Sequence, residues 1–304
     1  MIKKFKQKGI TWLDVESPSK EDILEIAKEY NLHSLVTKEL LTPSHQSRID
    51  AYDQYIYLVL HFPIFEKIKN QEEKDSHELD IILGQDFLIT IRYESIIPIE
   101  EFNKIFEAQM KLGDDRTRLH AGYLFHHIIK EMYRSLEVGM DLTNSNLKKI
   151  EASVFSGQSK ELVKNLNAIN RHLLDFRWAL KTHREILDSM EEALGKFFGS
   201  DFSHYTKSIK IRFERVWEMV NSNRETIKEI KMTNDSLLAV KTNELMKILT
   251  IVVFVAFPLS VLITTFNTGY SPNLSQDYNF GIIVAITLSV IAMMLIYFKY
   301  KKWL

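Results

Sequence analysis

Cysteine is absent from the 304 residues, so disulfides and cysteine-ligated metals are excluded and a reducing compartment is permitted. Glycine and proline are scarce, with ten and six copies, and neither occurs between Gly199 and Pro258, so nothing in that stretch breaks a helix. No glycine-rich phosphate loop is present. An excess of one charge sign is also missing: 39 Lys and Arg are interspersed with 40 Asp and Glu, which argues against nucleic acid as a partner. The N-terminal "MIKKFKQKGITW" has the basic start of a signal peptide with no apolar stretch behind it, so export of the large N-terminal region is not expected.

The charge that is present is unevenly spread. Residues 1–247 carry nearly all of it, whereas 248–266 ("ILTIVVFVAFPLSVLITTF") and 280–298 ("FGIIVAITLSVIAMMLIYF") carry none. Each run, at about 1.5 Å per helical residue, matches the roughly 30 Å hydrocarbon thickness of a bilayer. Two transmembrane helices are the economical reading. A pair of buried core helices is the alternative, but little chain is left near them to bury them. Lys241 and Lys247 precede the first run and Lys299, Lys301 and Lys302 follow the second, while the loop between has no Lys or Arg and a single acid, Asp277. By the positive-inside rule both termini face the cytoplasm, in a multi-pass protein of the cell membrane.

The first 112 residues read as an α/β domain. Strands are expected at 10–15, 55–62, 79–83 and 87–92, with a "GQD" turn before the last. A helix is expected from Ser17 as N-cap and Pro18 as first helical residue through Tyr30. The charged "EKIKNQEEKDSHE" segment reads as loop. Residues 113–247 form a helical stalk, with helices at 116–153 and 160–193, and 248–304 form the membrane domain. A long helix is expected from about Ser203 to Phe266. Its apolar seam runs through Ile209, Phe213, Val216, Val220, Ile227, Ile230 and Leu237, with Asn223 and Asn234 in the missing steps. Self-association around a partly wet axis and a hairpin with the preceding helix both account for that seam.

The order Asn243, Met246-Lys247, Leu249-Thr250 and Pro258-Leu259, with the terminal "YFKYKKWL", resembles the pore helix and final span of the CorA family of divalent metal ion transporters. The resemblance covers the whole chain, closely at the C-terminus and loosely before it. It implies an α+β membrane protein: a cytoplasmic α/β domain, a funnel of long helices, two C-terminal spans, and a homopentamer whose first spans line a central pore. It implies a transporter rather than an enzyme, with Mg²⁺ as cargo before cobalt or nickel. A zinc transporter of the same architecture and a non-conducting membrane scaffold or sensor are the alternatives. Where the family carries Tyr-Gly-Met-Asn after the pore helix, this chain has Phe266-Asn267-Thr268-Gly269. Where magnesium-sensing members place carboxylates between subunits, the corresponding "YTKSIKI" at 205–211 is basic.

If the first span lines a pore, one face meets water and a cation. Steps of three and four from Asn243 give Met246, Leu249 or Thr250, Val253, Phe257, Ser260, Thr264 and Asn267. That stripe is polar at its ends and apolar in the middle, as in a pore that gates by dewetting. A packing face between membrane helices uses the same small and hydroxyl residues. Mg²⁺ dehydrates reluctantly, so an oxygen-rich mouth binds the hydrated ion. Asn267, Thr268 and Gly269 supply amide, hydroxyl and backbone oxygens there, with Asn267 the metal-facing residue and Gly269 suited to a helix C-cap. Pro258 removes one backbone hydrogen bond near Phe254 and permits bending. His126 and His127 are adjacent on a helix, about 100° apart, and cannot chelate one ion from one face. No resident cofactor is implied; the divalent cation is cargo.

Overall fold

The computed structural model describes residues 1–7, 9–44, 46–64, 76–112, 120–154, 159–267 and 276–301. Two compact units are distinguished, Met1–Ile230 and Lys231–Leu304.

The first unit begins with a six-stranded sheet. Its strands are β1 (Ile2–Gln7), β2 (Ile10–Glu16), β3 (Arg48–Ala51), β4 (Tyr55–Pro63), β5 (Ser76–Gly84) and β6 (Phe87–Arg92). They lie in the order β1-β2-β6-β5-β4-β3, and only β2 and β6 run parallel. Alternation along the strands sorts side chains to two faces. Leu13, Val15, Tyr57, Val59, Ile82, Ile89 and Ile91 pack against Ile23 and Ile26 of α1 (Lys20–Glu29) and against Val36 and Leu40 of α2 (Ser34–Glu39) and its C-cap. On the opposite face Trp12 packs against Phe102 and Phe106 of α3 (Ile97–Leu112). Phe62 meets Tyr133 of α4 (Ala121–Ser153) and His183 of α6 (His183–Phe198). The sheet is thus the middle of three layers.

Several expectations are corrected. Helix α1 is capped by Ser19, two residues later than expected: the Ser19 hydroxyl accepts from Asp22 N, and the Asp22 carboxylate accepts from Ser19 N. This reciprocal capping box satisfies two otherwise orphan donors, an advantage that Ser17 lacks. Ser17 instead has φ 46° and ties the chain to the end of β6 through Arg92 O and Tyr93 O. Ser76–Glu78, expected as loop, belong to β5; the charged residues before them, 65–75, lie outside the described residues.

The helix expected over 160–193 is two helices, α5 (Ser159–Leu180) and α6, separated at Lys181-Thr182. Strands β1 and β3 and helix α3 were not foreseen. β1, "IKKFKQ", offers a single aromatic between lysines because it is an edge strand, where lysine discourages further pairing.

Helix α7 (Ser203–Asn267) is continuous over 65 residues, free of glycine and proline up to Pro258, which it runs through. Within the first unit its seam is buried by this chain's own helices: Ile209, Phe213, Val216, Val220, Ile227 and Ile230 are all at most 2% exposed. Phe213 meets Tyr133 edge to face and lies beside His183, and Asn223 Nδ2 donates to Met140 O of α4 at 3.2 Å. Arg212 pairs with Glu137 of α4, and Arg184 of α6 pairs with Glu214. The expected hairpin with the preceding helix accounts for only part of this stretch, since α4 as well as α6 meets it; a polar residue at such a position fixes register.

Candidate ion pathway on the last two helices

The second unit contains the remainder of α7 and helix α8 (Gln276–Tyr300). α8 buries Thr287 and Phe298 and half-buries Ile291 and Met294, residues spaced four, three and four apart on one helical face. The matching face of α7 is Ile251, Val255 and Pro258, which are buried or half-buried, with Phe254 ring edge to face with Phe298 at 5.8 Å. Pro258, in the interior of α7, therefore lies on the side that meets α8. Its ring cannot donate to Phe254 O, and the adjacent helix is what shields that loosened turn.

The stripe proposed from spacing lies on the other side. At 100° per residue, Leu249, Val253, Phe257, Ser260 and Thr264 point roughly opposite to Ile251, Val255 and Pro258. Asn243, Ser260 and Thr264 are exposed within this single chain, and so are Met246 (55%), Leu249 (56%), Val253 (56%) and Phe257 (70%). Thr250, the other choice at its step, is half-buried and donates its hydroxyl to Met246 O.

Ser260 Oγ donates to Ala256 O at 3.0 Å and Thr264 Oγ1 to Ser260 O at 2.8 Å. With their protons turned back into the helix, both hydroxyl oxygens present acceptor lone pairs outward. An apolar stretch of Leu249, Val253 and Phe257 thus leads to two oxygen acceptors further along one face. Asn267 is the last residue of α7. Thr268 and Gly269 lie outside the described residues. Asp277 is in the first turn of α8.

Spacing missed the α8 contact face, because α8 is apolar all round and its sequence does not distinguish a packing side from a lipid side. The signal that could have found it is the three-and-four spacing of Thr287, Ile291, Met294 and Phe298.

Two of the chain's buried histidines, His126 and His183, are neutral. His126 is buried with Tyr205 and His127 beside it, and burial lowers its pKa to about 4, so it is neutral. His183 is fully buried, accepts at Nδ1 from the Tyr133 hydroxyl at 2.8 Å, and donates from Nε2 to His61 O at 3.0 Å. Among the described residues no group of three or more His, Asp or Glu is placed to hold a metal ion.

A sheet domain with helical layers is continued by one unbroken helix into an apolar two-helix unit. Residues 7–302 match the family model described as CorA-like Mg²⁺ transporter protein, and the chain belongs to that family. It is 22% identical over 301 residues to the cobalt/magnesium transport protein CorA of Thermotoga maritima, covering 97% of this chain and 83% of the relative. It is 20% identical over 303 residues to the protein of the same name from Methanocaldococcus jannaschii, covering 99% and 93%.

Among solved structures, the complete CorA magnesium transporter from Methanocaldococcus jannaschii superposes with a TM-score of 0.81 at 20% identity, over 99% of this chain and 93% of that one. The full-length CmaX protein superposes with a TM-score of 0.74 at 16% identity, over 97% and 89%. These likenesses establish the fold. The CorA relatives are membrane transporters, and α7 here is long and apolar enough to cross a membrane by length and composition.

Proposed function

We propose that the chain assembles as a homopentamer in the cell membrane and passes divalent cations, Mg²⁺ foremost and cobalt or nickel in second place, through a pore lined by the C-terminal part of α7. α8 forms the outer, lipid-facing layer. Both termini face the cytoplasm, on the evidence of the flanking lysines. The observation that carries the reading is the division of α7 into two faces: one meets α8, and the opposite one bears Asn243, Met246, Leu249, Val253, Phe257, Ser260 and Thr264, exposed in the single chain. One helix pair cannot enclose a channel, so that face requires other copies around it. Leu249, Val253 and Phe257 form the constriction, which closes by dewetting.

On the sequence alone, Asn267 to Gly269 form the mouth that recognises the hydrated ion through oxygen acceptors, with Asp277 as the acid of the outer loop. Replacement of the family's Gly-Met-Asn by Asn-Thr-Gly leaves oxygen donors at the lip but changes their identity, so the order of preference among metals is the property most open to change.

The test is metal uptake into liposomes containing only this protein, measured for Mg²⁺ and then in competition with Co²⁺, Ni²⁺ and Zn²⁺. Mg²⁺ uptake that falls several-fold in Asn267→Ala, with the pentamer intact, supports the reading. Uptake led by Zn²⁺ replaces the cargo while keeping the architecture. A folded, assembled protein that conducts none of the four is a scaffold or sensor, and overturns the proposal.

A further inference from the structure

The two faces of the sheet hold buried acid in different ways. On the α3 face Asp14 is neutralised by Arg92 at 3.1 Å, and Thr90 Oγ1 and Asn103 Nδ2 also donate to it. On the α1–α2 face Glu78 and Asp80 occupy alternate positions of β5, 9% and 1% exposed, with no such cation between them. Arg48, the guanidinium on that side, lies over the Tyr57 ring and is engaged by Glu39 and Asp50.

The hydrogen bonds around Asp80 require more protons than its neighbours supply. Tyr93 Oη lies 3.2 Å from Leu40 O and 3.0 Å from Asp80 Oδ2. A phenol carries one proton and a carbonyl none, so both contacts are full hydrogen bonds only if Asp80 brings the second proton. The competing arrangement shares one phenol proton between two acceptors and leaves two ionised carboxyls side by side in the interior, which like-charge repulsion and desolvation both oppose.

We propose that Asp80 is a protonated carboxylic acid at neutral pH, donating from Oδ2 to Tyr93 Oη while Tyr93 donates to Leu40 O, so that one buried proton fastens β5 to the end of α2. Leu40 is the C-cap of α2, where a helix leaves carbonyls without internal partners, so the phenol satisfies a group that needs one. Burial first, and then the charge of Glu78, push the Asp80 carboxyl well above the usual range, against the opposing pull of Tyr93 and Arg48.

The other groups facing the pair do not replace the proton. Glu78 Oε1 accepts from Ser44 N at 2.9 Å. His61, across on β4, stands 3.6 Å from Glu78 Oε2, and its ring is already bonded to Ser44 O and Ser47 Oγ. The Tyr57 phenol is itself pushed up, by burial and then by Asp80. Beyond Tyr93, Glu94 pairs with His77 at 3.0 Å. When Asp80 ionises, the Tyr93 proton turns to the carboxylate and Leu40 O loses its donor. The end of α2 is therefore held by a pH-sensitive latch.

The test is infrared difference spectroscopy of the full chain in lipid, wild type minus Asp80→Asn, at neutral pH. A protonated-carboxyl C=O band present in the wild type and absent from the variant is expected, and it should vanish on alkalinisation. Because the folded chain holds this proton more tightly than the unfolded chain, stability falls as pH rises toward the folded value, and asparagine carries no such dependence. Relative to Asp80→Asn, the unfolding midpoint of the wild type should therefore fall as pH rises from the unfolded carboxyl value of about 4 up to the folded value. Absence of the band at neutral pH, or equal pH slopes in the two proteins, overturns the proposal. Should Asp80→Asn fail to assemble, Tyr93→Phe serves: removing the acceptor must shift the band, and an unmoved band overturns the assignment equally.

Discussion

The two parts of α7 are built from one unbroken helix yet treat their apolar residues in opposite ways. Between Ile209 and Ile230 the large side chains are spent inside their own chain: Phe213 is 1% exposed, and Val216 and Val220 are fully buried. Between Leu245 and Ile263 the composition is more apolar still, but most large side chains have no cover within the chain, as Leu245, Ile248 and Phe257 illustrate. A soluble monomer rarely exposes such a continuous apolar surface. The first part stabilises a fold; the second, on the function proposed above, presents surface to lipid and to other copies. Hydrophobicity of a helix therefore does not reveal whether its residues belong to a core; what packs against them does.

The comparison breaks most severely at Phe213. Phe213→Ala removes a ring that touches Tyr133, His183 and Trp217 and should cost about 3–5 kcal/mol, read by denaturant unfolding of the detergent-solubilised protein. A cost under about 1 kcal/mol would show that this part of the seam is as uncommitted as the second part.

A second break is by acid. Burial lowers the pKa of His183 to about 3, below its unfolded value of about 6.5. The unfolded chain then binds the extra proton first, so stability is fully present above about pH 6.5 and is lost as pH falls toward the folded value. The loss is at most about 1.4 kcal/mol per pH unit for this one group. His126, lowered by burial to about 4, adds in the same direction. His183→Gln keeps one acceptor and one donor without the titration, and should flatten the slope between about pH 6.5 and about pH 4. An unchanged slope would place the acid sensitivity outside the first part.

The smallest expected effect on stability is in the second part. Phe257→Gly should leave the unfolding of the N-terminal unit within about 0.5 kcal/mol of wild type, since it lies outside that core. It should instead raise basal ion flux by removing bulk from the proposed constriction. Unchanged flux with normal assembly would mean that the ring faces lipid.

Much of this was legible in advance where a residue acts through its own chemistry. Charge-free runs, the lack of helix breakers from Gly199 to Pro258 and the period of the seam placed α7 to within a residue of its end. Local competition was less legible. Ser17 and Ser19 are both plausible caps, and only the reach of the Asp22 carboxylate back to Ser19 N decides between them. The break at Lys181-Thr182 has no glycine or proline to announce it. Edge strand β1 hides behind its lysines.

For the candidate pathway, periodicity alone yields the proposed stripe from Asn243 to Thr264, because the helical repeat is a property of the backbone and needs no neighbour. That α8 covers the opposite face emerges from packing alone, since in an all-apolar helix every side is equally able to pack. Packing likewise decided that Asp14 meets Arg92 while Asp80 meets Tyr93. Residues far apart in the chain become electrostatic partners only once strand register has set them side by side, and a buried carboxyl takes its charge state from those partners.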